Sequence, residues 1–512
     1  MSRHPTDPPR PSALARLLPL LLLPLLAACG AAGDAGGEEA DDRSGGTELE
    51  LRQGADLPLG DSLENWYALG IGAHHMCAGM WVVGRGEPAR TARQVLRQDI
   101  ERFPAFRWRE VFSFRVDSAE REVTVSAPAI GSRTAEYNGD QGCTLLPAGA
   151  EDVYFDPAEV SPDLPPPDSQ DWPTGARNAR GEFDEVDRAA LDSVLDWAFD
   201  DGRLEPDQNT RGLVVVYRGK ILAERYADGW GPRTPQISWS MGKSIASALT
   251  GVMVERGHYG LDDPAPVDEW QGERDPRRGI RIRDLLRMSS GLDFDNFGLD
   301  PDASYRAANE HMRIYFDALN VGLHAVNQPL RFEPGTEWRY RNSDPLTLML
   351  IARRTLEAAG ESWLHFPQRA LFDRIGMRSM VLETDPWGNF IVTGYDFGST
   401  RDWARFGLLH LRDGVWEGER ILPEVWVDFV TTPAPGDPSE GYGGLFWLNR
   451  GGALDRVPRD AYYAAGYMGQ RTLVVPSRDL VVARHGPSAG EFGAYFDRLV
   501  GGVLEALGRP VE

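Results

Sequence analysis

Lysine is nearly missing from this chain. Lys220 and Lys243 are the only two among 512 residues, and arginine makes up the rest of the 54 basic side chains. A lysine can give up its proton when desolvated, whereas arginine stays charged. A lysine kept in such a background therefore fits a task that arginine cannot perform. Lys220 falls in a turn pattern and carries no such argument, but Lys243 does, because of its neighbours. Cysteine is also scarce, at three residues. Positive charge is in deficit: the net charge is −23 and no basic patch or nucleic-acid-binding pattern is present, which argues against DNA or RNA as a partner. The apolar and charged fractions, 42% and 26%, are those of an ordinary globular protein long enough for two or three domains.

The run Leu17–Leu26 is too short to cross a bilayer, and Arg3, Arg10 and Arg16 precede it. It ends in Leu26-Ala27-Ala28-Cys29-Gly30, which resembles a bacterial lipobox. The expectation is a signal peptide over 1–28, a diacylglycerol on the thiol of Cys29, and a flexible tether over 29–64 rich in Gly, Ala, Glu and Asp. The protein would then be exported and lipid-anchored at the cell envelope, with the membrane as a partner through Cys29. In an oxidising compartment Cys77 and Cys143 are expected to bridge. His74-His75-Met76-Cys77 matches no standard zinc spacing, so no metal and no cofactor is expected.

Residues 65–148 read as a small module. Phe112-Ser113-Phe114-Arg115-Val116 and Glu122-Val123-Thr124-Val125 alternate with period two across a polar turn, as a hairpin should. Residues 149–185, with Leu164-Pro165-Pro166-Pro167 and no periodicity, read as a linker. The main domain, 186–512, opens with an amphipathic helix around Leu191, Leu195 and Ala198. Strands follow at Leu213–Tyr217 and Ile221–Tyr226, joined by Arg218-Gly219-Lys220. Helical patterns dominate 240–430, strands return at Thr472–Val475 and Leu480–Ala483, and a helix over 491–507 closes the chain. Strands from both ends bracketing a helical middle predict an α+β fold with an inserted helical subdomain.

Ser240-Met241-Gly242-Lys243 leads into an apolar helix with small residues at Ser244 and Gly251. Ser240 then sits near a helix N-terminus, where unpaired N–H groups favour a developing negative charge. The i, i+3 spacing puts Lys243 on the same face, placed to take the hydroxyl proton if it is buried and neutral.

These four residues resemble the first motif of the serine β-lactamase and penicillin-binding-protein superfamily. Further segments place the resemblance in the class C-related branch, near the 6-aminohexanoate-dimer (nylon-oligomer) hydrolases and related esterases. Ile282–Leu292 resembles the stretch after the nucleophile helix, Tyr340-Arg341-Asn342 the Tyr-x-Asn second motif, and Ser399–Leu408 a helix start common in the group. Ala465-Gly466-Tyr467-Met468-Gly469-Gln470 falls where the third motif should lie. The resemblance covers about 190–510 and implies an antiparallel sheet flanked by helices.

It also implies roles. Ser240 attacks a carbonyl and forms an acyl-enzyme; Tyr340, as phenolate or hydrogen-bonded phenol, shares the base role with Lys243. Asn342 orients Lys243 and the substrate, and the backbone N–H groups of Ser240 and Gln470 form the oxyanion hole. Tyr467, Met468 and Gly469 stand where the family carries a cation, which favours a small-molecule ester or linear amide over a β-lactam. The alternatives are a β-lactamase or D,D-peptidase acting on cell-wall substrates, and a non-catalytic envelope lipoprotein. Gly60-Asp61-Ser62-Leu63 spells another esterase signature. None of the nine histidines has the downstream Asp-x-x-His context that signature needs, so it is read as chance.

Overall fold

A run such as Gly212-Leu-Val-Val-Val-Tyr217, β-branched and apolar on both faces, belongs in the middle of a sheet covered on both sides. The computed structural model places it there. It describes residues 47–49, 62–85, 89–103, 106, 111–147, 150–200, 208–294, 296, 309–489 and 492–508. The signal peptide, Cys29 and most of the tether lie outside the described residues.

The N-terminal module begins with β1 (Thr47–Leu49) and helix α1 (Ser62–Cys77), followed by β2 (Ser113–Asp117), β3 (Glu122–Ala127), β4 (Gly131–Tyr137) and β5 (Cys143–Leu145). The five strands form one antiparallel sheet in sequential order. The expected hairpin is β2–β3, with Phe114 opposite Val125 and Val116 opposite Val123. Helix α1 lies against β3 and β4 and was not expected. Its run Trp66–Cys77 is apolar almost all round, so it shows no amphipathic period to read.

The body carries α2 (Arg188–Ala198), β6 (Gly212–Tyr217), β7 (Lys220–Tyr226), α3 (Gly242–Glu255), α4 (Glu310–Phe316), α5 (Ser343–Ala358), α6 (Thr400–Leu411), β8 (Trp447–Leu448), β9 (Tyr462–Ala465), β10 (Arg471–Val475), β11 (Leu480–His485) and α7 (Phe492–Ala506). Its six-stranded antiparallel sheet has the order β8-β9-β10-β11-β6-β7. Strand residues alternate between two cores. Leu213, Val215, Leu473 and Val482 face α2 and α7, while Val214, Val216, Val474 and Val481 face α3 and α6. Arg218 and Gly219 both have positive φ, at 47° and 74°, the geometry of a tight two-residue hairpin turn between β6 and β7. Asp187 and Ser399 cap α2 and α6 by accepting from the N–H groups of Ala190 and Asp402.

The module and the body lie within one compact unit, Gly46–Glu512. The segment 150–185, expected as a linker, is irregular but packed. Trp172 is buried, its indole N–H donates to the Gly219 carbonyl (2.9 Å), and Arg405 donates to the carbonyls of Pro173 and Gly175 (2.6 and 2.8 Å). Irregular backbone at a core surface needs such partners for its polar groups, and no periodicity announces them.

Candidate active site

Ser240 lies in the short turn Trp239–Met241 that runs directly into α3. Trp239, immediately before it, has φ +54°, a backbone region that bulky residues rarely occupy and that costs roughly 1–3 kcal/mol. Ring contacts hold the indole: His75 at 5.4 Å, Phe103 at 6.1 Å and Tyr467 at 5.6 Å between centroids. The strained turn presents the Ser240 hydroxyl to a cleft of about 460 Å³.

Lys243 Nζ is 3.0 Å from Ser240 Oγ and 3.1 Å from the carbonyl oxygen of Thr393. Ser240 Oγ is itself 3.4 Å from that carbonyl. Lys243 is 1% exposed, and burial pushes its amine down to about 7, with the carboxyl of Asp396 acting in the opposite sense. The amine sits 4.8 Å from the centre of the Tyr340 ring. Burial raises the Tyr340 phenol well above its usual range, against a hydrogen bond to Ser240 and the charge of Arg471. That shift favours the phenol over the phenolate near neutral pH. Ser240 and Lys243, one turn apart, thus meet Tyr340, which is distant in sequence, at one point.

Other expected site residues lie elsewhere. Asn342 is fully buried, and its amide donates to His311 Nδ1 (3.1 Å) and the Tyr315 hydroxyl (3.4 Å) rather than to Lys243. It reaches the cleft only through those two rings, both of which line it. Gln470 does not line the cleft either. Its side-chain nitrogen donates to the carbonyls of Met468 and Gly486 (3.0 Å each), bracing the turn after β9. Met468 and Gly469 have φ +52° and +83°, and the chain there turns toward Phe492 and Ser488. The cleft wall on this side is Ala465, Gly466 and Tyr467, where Gly466 passes so close to Ser238 that a Cβ would meet its carbonyl at 2.0 Å. The expected motif was therefore set too far along the chain, because sequence order does not show where β9 ends.

Several site residues carried no recognised signal. Thr393 offers the carbonyl shared by Ser240 and Lys243. Asp396 is buried beneath the nucleophile turn, so close that a Cβ on Gly242 would lie 2.3 Å from its Oδ1. Burial raises the Asp396 carboxyl well above its ordinary range, while Ser238 and Lys243 pull it down. Arg471, from the neighbouring strand β10, brings a cation to the cleft. It lines the cleft while donating to the carbonyls of Gly466 (2.9 Å) and Gln470 (2.8 Å). A larger cavity of about 590 Å³ near Arg378 and Arg405 contains neither Ser240 nor Lys243, and the chemistry belongs to the smaller one. No His, Cys, Asp and Glu cluster suited to a metal occurs among the described residues.

An antiparallel sheet flanked by helices, with a serine at the mouth of one helix and a lysine one turn on, is the β-lactamase/transpeptidase fold. The β-lactamase family profile matches residues 198–490, and the chain belongs to that family of hydrolases. Among its relatives, the 6-aminohexanoate-dimer hydrolase of Paenarthrobacter ureafaciens is 22% identical over 319 residues, covering 59% of this chain and 79% of that protein. A solved Bacillus anthracis structure, described as a candidate 6-aminohexanoate-dimer hydrolase, superposes with a TM-score of 0.53 at 19% identity, over 68% of this chain and 90% of the other. A family VIII carboxylesterase superposes with a TM-score of 0.48 at 15% identity, over 63% of this chain and 98% of the other.

Proposed function

We propose that the protein is a serine hydrolase that cleaves an ester or linear amide through an acyl-enzyme on Ser240. The observation that carries this is the 3.0 Å approach of a buried Lys243, with proton affinity lowered to about 7, to the Ser240 hydroxyl. Neutral Lys243 takes the hydroxyl proton as Oγ attacks the substrate carbonyl carbon. The oxyanion is received by the backbone N–H of Ser240 and, on the cleft wall beyond β9, that of Tyr467, which replaces Gln470 in this reading. Collapse breaks the ester or amide bond, and the leaving oxygen or nitrogen regains the proton through Lys243 and the Tyr340 phenol. Water, deprotonated by the same pair, then releases the acid and frees Ser240.

Labelling by a fluorophosphonate tests this. The intact protein should label, and Ser240→Ala should not. An unlabelled intact protein would leave the non-catalytic reading. Arg471 favours a second reading, in which a substrate carboxylate is received in the cleft, as a β-lactam or cell-wall peptide would require. Nitrocefin turnover comparable to that of p-nitrophenyl esters would select it.

The place of action proposed is the bacterial envelope, with a lipid anchor on Cys29. Its support is the leucine run and the Leu26-Ala27-Ala28-Cys29 ending. Metabolic labelling with a palmitate analogue, lost in Cys29→Ser, tests it.

A further inference from the structure

The residues beside Ser240 do not all come from the family's portion of the chain. Ile71, His75 and Phe103 line the same cleft as Ser240 and Tyr340, yet they precede residue 198, where the family match begins. Ile71 and His75 are on α1, and Phe103 is in the connection to β2.

This contact is built in rather than incidental. Tyr67, Leu69 and Phe106 of the module share one buried core with Met312, Phe316 and Tyr395 of the body. His74 stacks on Tyr395, which lines the cleft, at 3.7 Å between ring centres, and its Nε2 is 2.5 Å from Glu383 Oε2. The other oxygen of Glu383 accepts from the Cys143 N–H (2.8 Å), and Cys143 is joined to Cys77, two residues beyond His75. Asp99 and Arg211 pair across the same junction at 2.7 Å.

The chemistry of the wall defines what it accepts. Ile71 and Phe103 are joined by Trp239, Met312 and Phe316, and no carboxylate lines the cleft. Arg471 gives its Nη1 to two backbone carbonyls. A cationic chain would be desolvated there without a partner, whereas each buried methylene gains about 0.8 kcal/mol, close to fourfold in binding. We propose that the N-terminal module is the specificity wall of the active site, with Ile71 and Phe103 receiving an uncharged apolar chain of the substrate. This rests on the cleft being the substrate site and deepens the hydrolase reading.

The test reads binding, which needs no turnover. In a Ser240→Ala background, calorimetry compares p-nitrophenyl hexanoate with p-nitrophenyl acetate, and hexyl acetate with methyl acetate. Ile71→Trp, which narrows the wall, should weaken at least one six-carbon ester about tenfold, the value of roughly two methylenes. The short esters should stay within about twofold. Phe103→Ala, which widens it, should shift preference toward longer chains, and opposite shifts cannot both come from misfolding. An effect on hexanoate places the acyl chain on the wall, and an effect on hexyl acetate places the alcohol chain there. Unchanged chain-length preference in both variants overturns the proposal. Fluorophosphonate labelling of the same variants carrying Ser240 reports separately on the acyl-enzyme. Its loss in the intact protein, with chain-length-dependent binding kept, sinks the catalysis and leaves the wall.

Discussion

The amine of Lys243 and the hydroxyl of Ser240 stand 3.0 Å apart and share a single backbone acceptor, the Thr393 carbonyl. That carbonyl also accepts from the Tyr315 hydroxyl at 2.9 Å. The nucleophile and its base are therefore aligned by a point of main chain rather than by an ionised side chain, and the proton balance of Lys243 alone sets when attack can begin.

With the amine lowered to about 7, kcat/KM for an ester should rise with pH through that value and level off above it, since the neutral form is the base. The raised Tyr340 phenol supplies no falling limb at moderately alkaline pH. Lys243→Arg, which cannot deprotonate, should lose about 10²–10⁴-fold in kcat. A pH–rate profile of the intact enzyme flat from pH 5 to 9 would remove Lys243 from the base role.

Asp396 is the negative group that opposes the lowering of Lys243. Asp396→Asn keeps the shape under Gly242 and removes the charge, so the acid limb should move to lower pH with little change in the plateau. An unmoved limb would mean that the carboxyl is already protonated in the working range.

The bridge Cys77–Cys143 closes a separation of 66 residues, worth about 4 kcal/mol in the chain-entropy account. Replacing both cysteines by alanine should lower the denaturation midpoint accordingly. KM for long-chain esters should rise more than KM for acetates, because the bridge sits next to the cleft wall.

Burial holds His75, His311 and His485 down to about 3 and His410 to about 4. The unfolded chain takes up those protons near 6.5, so stability should fall as pH drops from about 6.5 toward those values. Each fully differential proton contributes about 1.4 kcal/mol per pH unit. The raised carboxyls of Glu383 and Asp396 work the other way, binding protons more tightly in the folded state. Urea midpoints at pH 7.5 and 5.0 check the sign, with a lower midpoint at 5.0 expected.

What could be read from sequence alone was local. The period-two valines of β6 and β11 and the capped start of α6 are stretches whose geometry follows from adjacent residues. Ser240 and Lys243 share a helical turn, and Lys243 is one of two lysines in the chain. Tyr340 was found by motif order. Asn342 and Gln470 were misplaced because their partners, His311 and the turn before Gly486, are brought in by the fold. Arg471 reaches the cleft from a strand next to the motif, a relation visible only once β9 and β10 are paired. The reach of Ile71 into the cleft depends on a shared core that leaves no trace in spacing.

The central sheet pairs β6 with β11, Gly212 opposite His485, so its middle is closed by segments from opposite ends of the body. Such a pairing carries a large loop-closure cost and forms late. Ser240 leaves the ribosome long before β9, β10 and β11, and the nucleophile cannot be poised until almost the whole chain has been made.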